Sequence, residues 1–211
     1  MSKERSVHMA IFNYGQTEID HLRKRDKRLG QMIDRIGLLE PGVTSDIFSA
    51  LVNSIVAQQI SSKAAETVWG RVKDRFVKIT PERMASATVE KVQCCGMSMR
   101  KASYIKGMAE ACVKGEIDLD ALWGLPDEEV VKRLSSLHGI GVWTAEMILI
   151  FCMQRPDIVS WNDLGIRRGM MRLYELDELS RADFERYRKR YSPYGTIASF
   201  YLWEMTDGTD D

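Results

Sequence analysis

The stretch Leu134-Ser135-Ser136-Leu137-His138-Gly139-Ile140-Gly141-Val142-Trp143-Thr144-Ala145-Glu146-Met147 decides how this chain is read. It joins two apolar-periodic segments through a turn that carries two glycines one residue apart. Glycine tolerates positive φ and lets another backbone or a phosphate approach closely. The segment after the turn opens as a helix, so its first amides lack acceptors within the helix and lie at the positive end of the dipole. Together these features predict a small anion cradle of the kind that can hold a DNA phosphate. Asp163 follows sixteen residues after Met147.

Outward from this turn, nearly every segment has helical periodicity. Ser45 is a predicted cap for a helix with Phe48, Leu51, Val52, Ile55 and Val56 on one face, and Ser62 for a second with Ala65, Val68, Trp69, Val72 and Phe76. Thr80-Pro81-Glu82 is a cap followed by proline at the first helical position. Further helices are predicted near residues 88–94, 99–114, 126–136, 142–153, 163–175, 180–190 and 194–205, with two more around 17–27 and 29–37. No period-2 run indicates a strand, and the predicted class is all-α. Pro41-Gly42 and Gln154-Arg155-Pro156-Asp157 read as the main breaks. They predict a central lobe over 47–155, ending in a helical hairpin at about 126–153. A second lobe would be formed by 1–46 plus 156–211, with a cleft between the two that Gly139, Gly141 and Asp163 can face.

Composition narrows the chemistry. At 211 residues the chain can bury a substantial core as one domain or two small lobes. Its longest apolar run, 147–153, is too short to cross a bilayer, and residues 1–5 lead into polar sequence without a signal-peptide core. The expectation is a cytoplasmic protein without a membrane partner, nucleoid-associated in a prokaryote or nuclear in a eukaryote. Cys94, Cys95, Cys112 and Cys152 have neither zinc nor iron–sulfur spacing, and His8, His21 and His138 are scattered. Net charge is zero, but Glu204, Asp207, Asp210 and Asp211 gather at the end, so the rest of the chain carries an excess of four basic groups. Two basic runs, Arg23-Lys24-Arg25 with Lys27 and Arg28, and Arg186 with Arg188-Lys189-Arg190, read first as solvated helix faces.

Five pieces in order resemble the helix-hairpin-helix DNA glycosylase superfamily, and within it the 3-methyladenine DNA glycosylase II branch. They are Leu51-Val52-Asn53-Ser54-Ile55-Val56-Ala57-Gln58-Gln59-Ile60-Ser61, Gly96-Met97-Ser98-Met99-Arg100-Lys101-Ala102, the hairpin, Asn162-Asp163-Leu164-Gly165-Ile166-Arg167-Arg168, and Ser192-Pro193-Tyr194 leading to Trp203. The resemblance covers most of 45–205 and implies a two-lobed helical fold with the active site in the interlobe cleft. It implies a monomer acting on double-stranded DNA that contains damaged bases. The hairpin would hold backbone phosphate through amides at Gly139, Gly141 and their neighbours, Thr144 included. The carbonyls of Ser135, Leu137 and Ile140 would hold a structural Na⁺ or K⁺. His138 stands where the family usually has proline.

The same resemblance assigns catalysis to Asp163. Cleaving an N-glycosidic bond builds positive charge on the sugar, which a nearby carboxylate stabilises. Taken alone, an aspartate before an apolar-periodic segment is a helix N-cap, and a residue there can serve in both roles. Lyase members of the superfamily carry a lysine two residues after the second hairpin glycine, where this chain has Trp143, so no amine is present there for a Schiff base. A monofunctional hydrolase is therefore implied, with no cofactor for catalysis and no iron–sulfur cluster. Trp143, Trp203, Met147 and Gln59 match the base pocket, with Tyr194 and Tyr201 as weaker candidates. Electron-rich faces suit cationic purines such as 3-methyladenine or 7-methylguanine. The base must leave the stack, and Met99 matches the wedge that fills the gap. Gln58 matches a DNA contact beside the lesion, and Arg167 and Arg168 are candidate phosphate contacts. A glycosylase for neutral deaminated or oxidised bases and a non-catalytic helix-hairpin-helix DNA-binding module remain open alternatives.

Overall fold

A computed structural model of the chain describes residues 10–207. His8, residues 1–5, Asp210 and Asp211 lie outside that range. Among the described residues there are twelve α-helices, one short 3₁₀ turn at Ala121–Gly124 and one pair of two-residue strands. None of these helices is long and apolar enough to cross a membrane. Contacts divide the chain into two compact units, one containing the residues up to Thr44 with those from Leu149 onward, the other Ser45–Ile148.

The unit Ser45–Ile148 is built from α3 (Ile47–Ala57), α4 (Ser62–Phe76), α5 (Pro81–Ser86), α6 (Val89–Gln93), α7 (Met99–Val113), α8 (Asp127–Ser135) and the opening turns of α9 (Val142–Phe151). Helix α7 packs against α3, α5 and α6, with Ala102, Ile105, Met108 and Ala109 buried. The apolar face of α3 contributes Leu51, Val52, Ile55 and Val56, all fully enclosed. The caps differ from expectation by one residue. Asp46 rather than Ser45 accepts from the Ser49 amide at 3.0 Å, and Ser61 rather than Ser62 accepts from Ala64 at 3.3 Å. The capping oxygen must reach the amide three residues on, and in both places it belongs to the residue adjoining the predicted one. Thr80 caps α5 as its sequence predicts.

The other unit contains α1 (Gln16–Arg25), α2 (Lys27–Ile36), α10 (Leu164–Tyr174), α11 (Arg181–Tyr191) and α12 (Gly195–Asp207). Strands β1 (Ala10–Ile11) and β2 (Gly42–Val43) pair antiparallel and are the one departure from an all-helical reading. Two residues per strand are too few to show alternation in sequence. Helices α10 and α12 cross closely because a Cβ on Gly169 would lie 2.1 Å from the Leu202 carbonyl oxygen. The segment before α10 is pinned to the start of α12. The Ile158 amide donates to Thr196 Oγ1 at 2.9 Å, Ser199 Oγ donates to the Ile158 carbonyl at 3.0 Å, and Asp157 Oδ1 accepts from the Gly195 amide at 3.0 Å.

The two basic runs are partly structural. Buried Asp26 caps α2 and accepts from Arg190 Nη1 at 3.0 Å and from the Tyr174 hydroxyl at 2.7 Å, while Tyr174 stacks on Tyr187 with ring centres 3.7 Å apart. Burial, followed by the neighbouring Tyr191, pushes the Tyr174 phenol far above its usual range. Arg28 donates to the Leu173 carbonyl and pairs with Glu175.

Candidate active site

Asp163 is the N-cap of α10. Its Oδ1 accepts from the Ile166 amide at 2.8 Å and from Trp203 Nε1 at 2.9 Å, and the residue is 7 % exposed. The cap role is therefore observed, and the Ile166 amide and the Trp203 indole anchor the same carboxylate oxygen. Trp203 reaches it from α12 because α10 carries no side chain at Gly165, where a Cβ would lie 2.8 Å from Trp203 Cδ1 and 3.1 Å from Asp163 Oδ1. Phe151 stacks behind the indole, with ring centres 5.7 Å apart and planes at 24°. Trp203 is thus half-buried, packed against the core on one side and hydrogen-bonded to the aspartate.

Of the other pocket candidates on this unit, Tyr201 is excluded. It is fully buried and its hydroxyl donates to the Gly37 carbonyl at 2.9 Å, which makes it a core residue. Tyr194 is half-buried edge-on to His21. Arg167 stacks on Trp161, with its guanidinium carbon 5.1 Å from the ring centre.

On the Ser45–Ile148 unit, the turn between α8 and α9 uses its two glycines differently. Gly139 has φ +88°, and a Cβ there would fall 2.5 Å from Tyr104 Cδ2. Its carbonyl accepts from Gln58 Nε2 at 2.8 Å, which ties the turn to the end of α3. Gly141 has open space where its Cβ would be. Gly139 is required by the protein's own packing, whereas Gly141 leaves room for an approaching group. The Ala145 amide, in the first turn of α9, bonds to the Gly141 carbonyl at 3.0 Å. In the turn, the amides of Leu137 and Ile140 bond to the Leu134 and Leu137 carbonyls at 3.1 Å each.

Trp143 is 44 % exposed in the first turn of α9, and Met147, one turn on, is half-buried. The Thr144 side chain is buried at 4 % exposure, and its amide lies in the first turn of α9. Met99 is the first residue of α7, because Ser98 caps the helix, and it is 49 % exposed. Gln59 is exposed with φ 57°.

Gln58 and Gln59 differ from one another more than their adjacency implies. Lys101, on α7, donates from Nζ to the Val56 carbonyl at 2.8 Å and to the Gln58 carbonyl at 2.6 Å, and so terminates α3. Burial, with a smaller contribution from the Arg100 charge, lowers the Lys101 pKa. A cavity of about 260 Å³ adjoins this junction, lined among others by Gln58, Gln59, Met97, Arg100 and Lys101. Lys101, Tyr104 and Gly165 are absent from the sequence-based candidates. The partners of Lys101 lie 43 and 45 residues away and Gly139 lies 35 residues from Tyr104, so local spacing does not mark them. Gly165, four residues before Gly169, could have been read as a small-residue stripe.

Cys94 is exposed, Cys95 and Cys152 are buried, Cys112 is half-buried, and all four are free thiols. Among the described residues, no three histidine, cysteine or acidic side chains gather as a metal site.

Residues 52–193 match the family model described as HhH-GPD superfamily base excision DNA repair protein. The chain is 30 % identical over 200 residues to DNA-3-methyladenine glycosylase 1 of Schizosaccharomyces pombe, covering 90 % of this chain and 87 % of that protein. The fold superposes on a crystal structure of a Bacillus halodurans DNA-3-methyladenine glycosidase with a TM-score of 0.81 and 34 % identity, over 95 % of this chain and 94 % of that one. It also superposes on the S. pombe 3-methyladenine DNA glycosylase in complex with abasic DNA, with a TM-score of 0.80 and 29 % identity, over 93 % and 99 % of the two chains. With its hairpin turn, its capped aspartate and these likenesses, the chain belongs to the HhH-GPD superfamily of base excision DNA repair proteins.

Proposed function

We propose that this protein is a monofunctional DNA glycosylase that removes alkylated purines of the 3-methyladenine and 7-methylguanine type from double-stranded DNA. The observation that carries the reading is the double hydrogen bond to Asp163 Oδ1, from the Ile166 amide and Trp203 Nε1. Two fixed donors hold the carboxylate in one orientation without reorganisation during the reaction, which is the condition under which a charge stabilises a transition state best. The names of the similar proteins, 3-methyladenine glycosylases, support the substrate class.

In the reaction, the bond between the sugar C1′ and the purine nitrogen breaks and its electron pair goes to the base. An alkylated purine carries a positive charge beforehand and so leaves neutral, which reduces the need for a general acid. Asp163 stabilises the positive charge developing on the sugar. Water adds to C1′ and releases a proton to solvent, leaving an abasic site. On the other unit, the exposed Trp143 offers an aromatic face suited to a cationic purine, and its position carries no amine to form a Schiff base with the opened sugar.

The amides around Gly141 and Thr144 would meet DNA phosphate, with Met99 as the wedge and Gln59 beside the lesion. An alkali ion would be held by the carbonyls of Ser135, Leu137 and Ile140, and oxygen donors in a tight turn fit so hard an ion. When bound, it would add positive charge beside the phosphate. The test compares duplexes containing methylated purines, uracil or hypoxanthine, with borohydride trapping in parallel. Free methylated base without a trapped protein–DNA adduct is expected. Release confined to uracil or hypoxanthine, or a trapped adduct, contradicts the reading.

A further inference from the structure

Trp161 lies two residues before Asp163 and is held by buried Phe184, whose ring meets it edge-on at 5.2 Å. Two guanidiniums lie against its indole, Arg167 at 5.1 Å and Arg181 at 5.0 Å from the ring centre. Arg181 is paired with Glu185 at 2.8 Å. Arg167 has no carboxylate partner and no side-chain hydrogen bond among the described residues, and its Nε is sealed from solvent. Two like charges brought to one ring, of which only Arg181 is paired with a carboxylate, repel each other. That cost is offset when an external anion lies across both. A guanidinium stacked on an aromatic face holds its terminal Nη–H groups in a fixed plane, a geometry that matches phosphate oxygens.

We infer that Arg167 and Arg181, oriented by Trp161, form a clamp for the phosphodiester backbone of duplex DNA next to the nucleotide on which Asp163 acts, an assignment that rests on the proposed glycosylase reading. Helix α10 links the two functions, because Asp163 caps it and Arg167 lies one turn further along the same helix, its amide bonded to the Asp163 carbonyl at 3.2 Å. Phosphate is favoured over a carboxylate-bearing partner because the clamp carries net positive charge and adjoins a residue whose substrate lies within DNA.

The clamp is tested by fluorescence anisotropy on a duplex containing a tetrahydrofuran abasic-site analogue, titrated between 50 and 200 mM KCl. The slope of log Kd against log salt changes by about 0.9 for each phosphate neutralised. Arg167→Gln is expected to reduce the slope by about that amount, whereas Lys24→Gln, on an exposed face of α1, should keep the wild-type slope. Trp161→Leu, which leaves both charges in place, should weaken binding about two- to fivefold, the range expected for losing a cation–π contact. An unchanged slope in Arg167→Gln overturns the clamp, as does an equal reduction in Lys24→Gln. Unchanged affinity in Trp161→Leu overturns the role of the indole. Release of methylated base by the wild type is scored on the same preparations. If base is released while Arg167→Gln keeps the full slope, the clamp is wrong and the glycosylase reading stands. If no base is released while the slope falls, the clamp stands as a DNA contact and the glycosylase reading is wrong.

Discussion

Replacing each hairpin glycine by alanine separates folding from DNA binding. At Gly139 the backbone has φ +88°, which costs an L-residue about 1–2 kcal/mol. The added methyl would also lie 2.5 Å from Cδ2, 2.8 Å from Cγ and 3.1 Å from Cβ of Tyr104. These atoms are the root of the ring rather than a flexible tip, so α7 or the turn must move, at a cost of about 1–3 kcal/mol typical of overpacking. The sum, about 2–5 kcal/mol, lowers Tm by at least about 4 °C for a protein of this size. At Gly141 no atom lies within 4 Å of the added methyl, and stability should change by no more than about 0.5 kcal/mol. If the amides there receive a phosphate, the same methyl displaces it and removes a charge-assisted hydrogen bond worth about 1.5–3 kcal/mol, or at least about tenfold in Kd. Differential scanning fluorimetry and anisotropy on an abasic-analogue duplex measure the two effects. Equal Tm values for the two variants would refute the packing argument, and wild-type DNA affinity in Gly141→Ala would refute the cradle.

Three further outcomes follow from the same contacts. Trp203→Phe keeps an aromatic ring but loses the Nε1 donor to Asp163, so single-turnover excision should slow about tenfold or more with KM little changed; a role in stacking alone predicts near wild-type turnover. Gly169→Ala places a methyl 2.1 Å from a backbone oxygen of α12 and should destabilise by about 3 kcal/mol or more, measured by urea denaturation, and a wild-type midpoint would show that the crossing is looser than described. Burial, reinforced by the Glu82 charge, raises the Cys112 pKa to about 11. Its thiol therefore stays protonated below that pH and becomes reactive only as pH approaches it. Iodoacetamide at pH 8 should label exposed Cys94 well before Cys112, as followed by peptide mass spectrometry, and early labelling of Cys112 contradicts the burial.

Much of the fold is legible in the periodicity of apolar residues. The hairpin helices, α10 and the helix carrying Trp203 all lie within a few residues of their predicted spans. What escapes is short or remote. The β1–β2 pair is too brief to alternate, and the choice between Asp46 and Ser45 as cap depends on which oxygen reaches an amide. At the site, Asp163 is readable as a helix cap from its place before an apolar-periodic segment, and as a candidate for chemistry only through the family resemblance. Trp203 is readable as an aromatic, but its bond to Asp163 depends on Gly165 being bare, which only the crossing of α10 and α12 reveals. Gln58 is a further case: the resemblance matches it to a DNA contact, and its bond to the hairpin carbonyl 81 residues away has no local mark in the sequence.

Asp163 is the centre of the proposed chemistry. Mass spectrometry of bases released from methylated duplex DNA, with wild type and Asp163→Asn under single-turnover conditions, tests it directly. Asparagine can still accept the Ile166 and Trp203 hydrogen bonds through its carbonyl oxygen, so folding should persist while the charge is lost. The wild type should release 3-methyladenine and 7-methylguanine, and the variant should do so at least about a hundredfold more slowly, in line with losing a principal electrostatic stabiliser. Release by Asp163→Asn at the wild-type rate would contradict the mechanism.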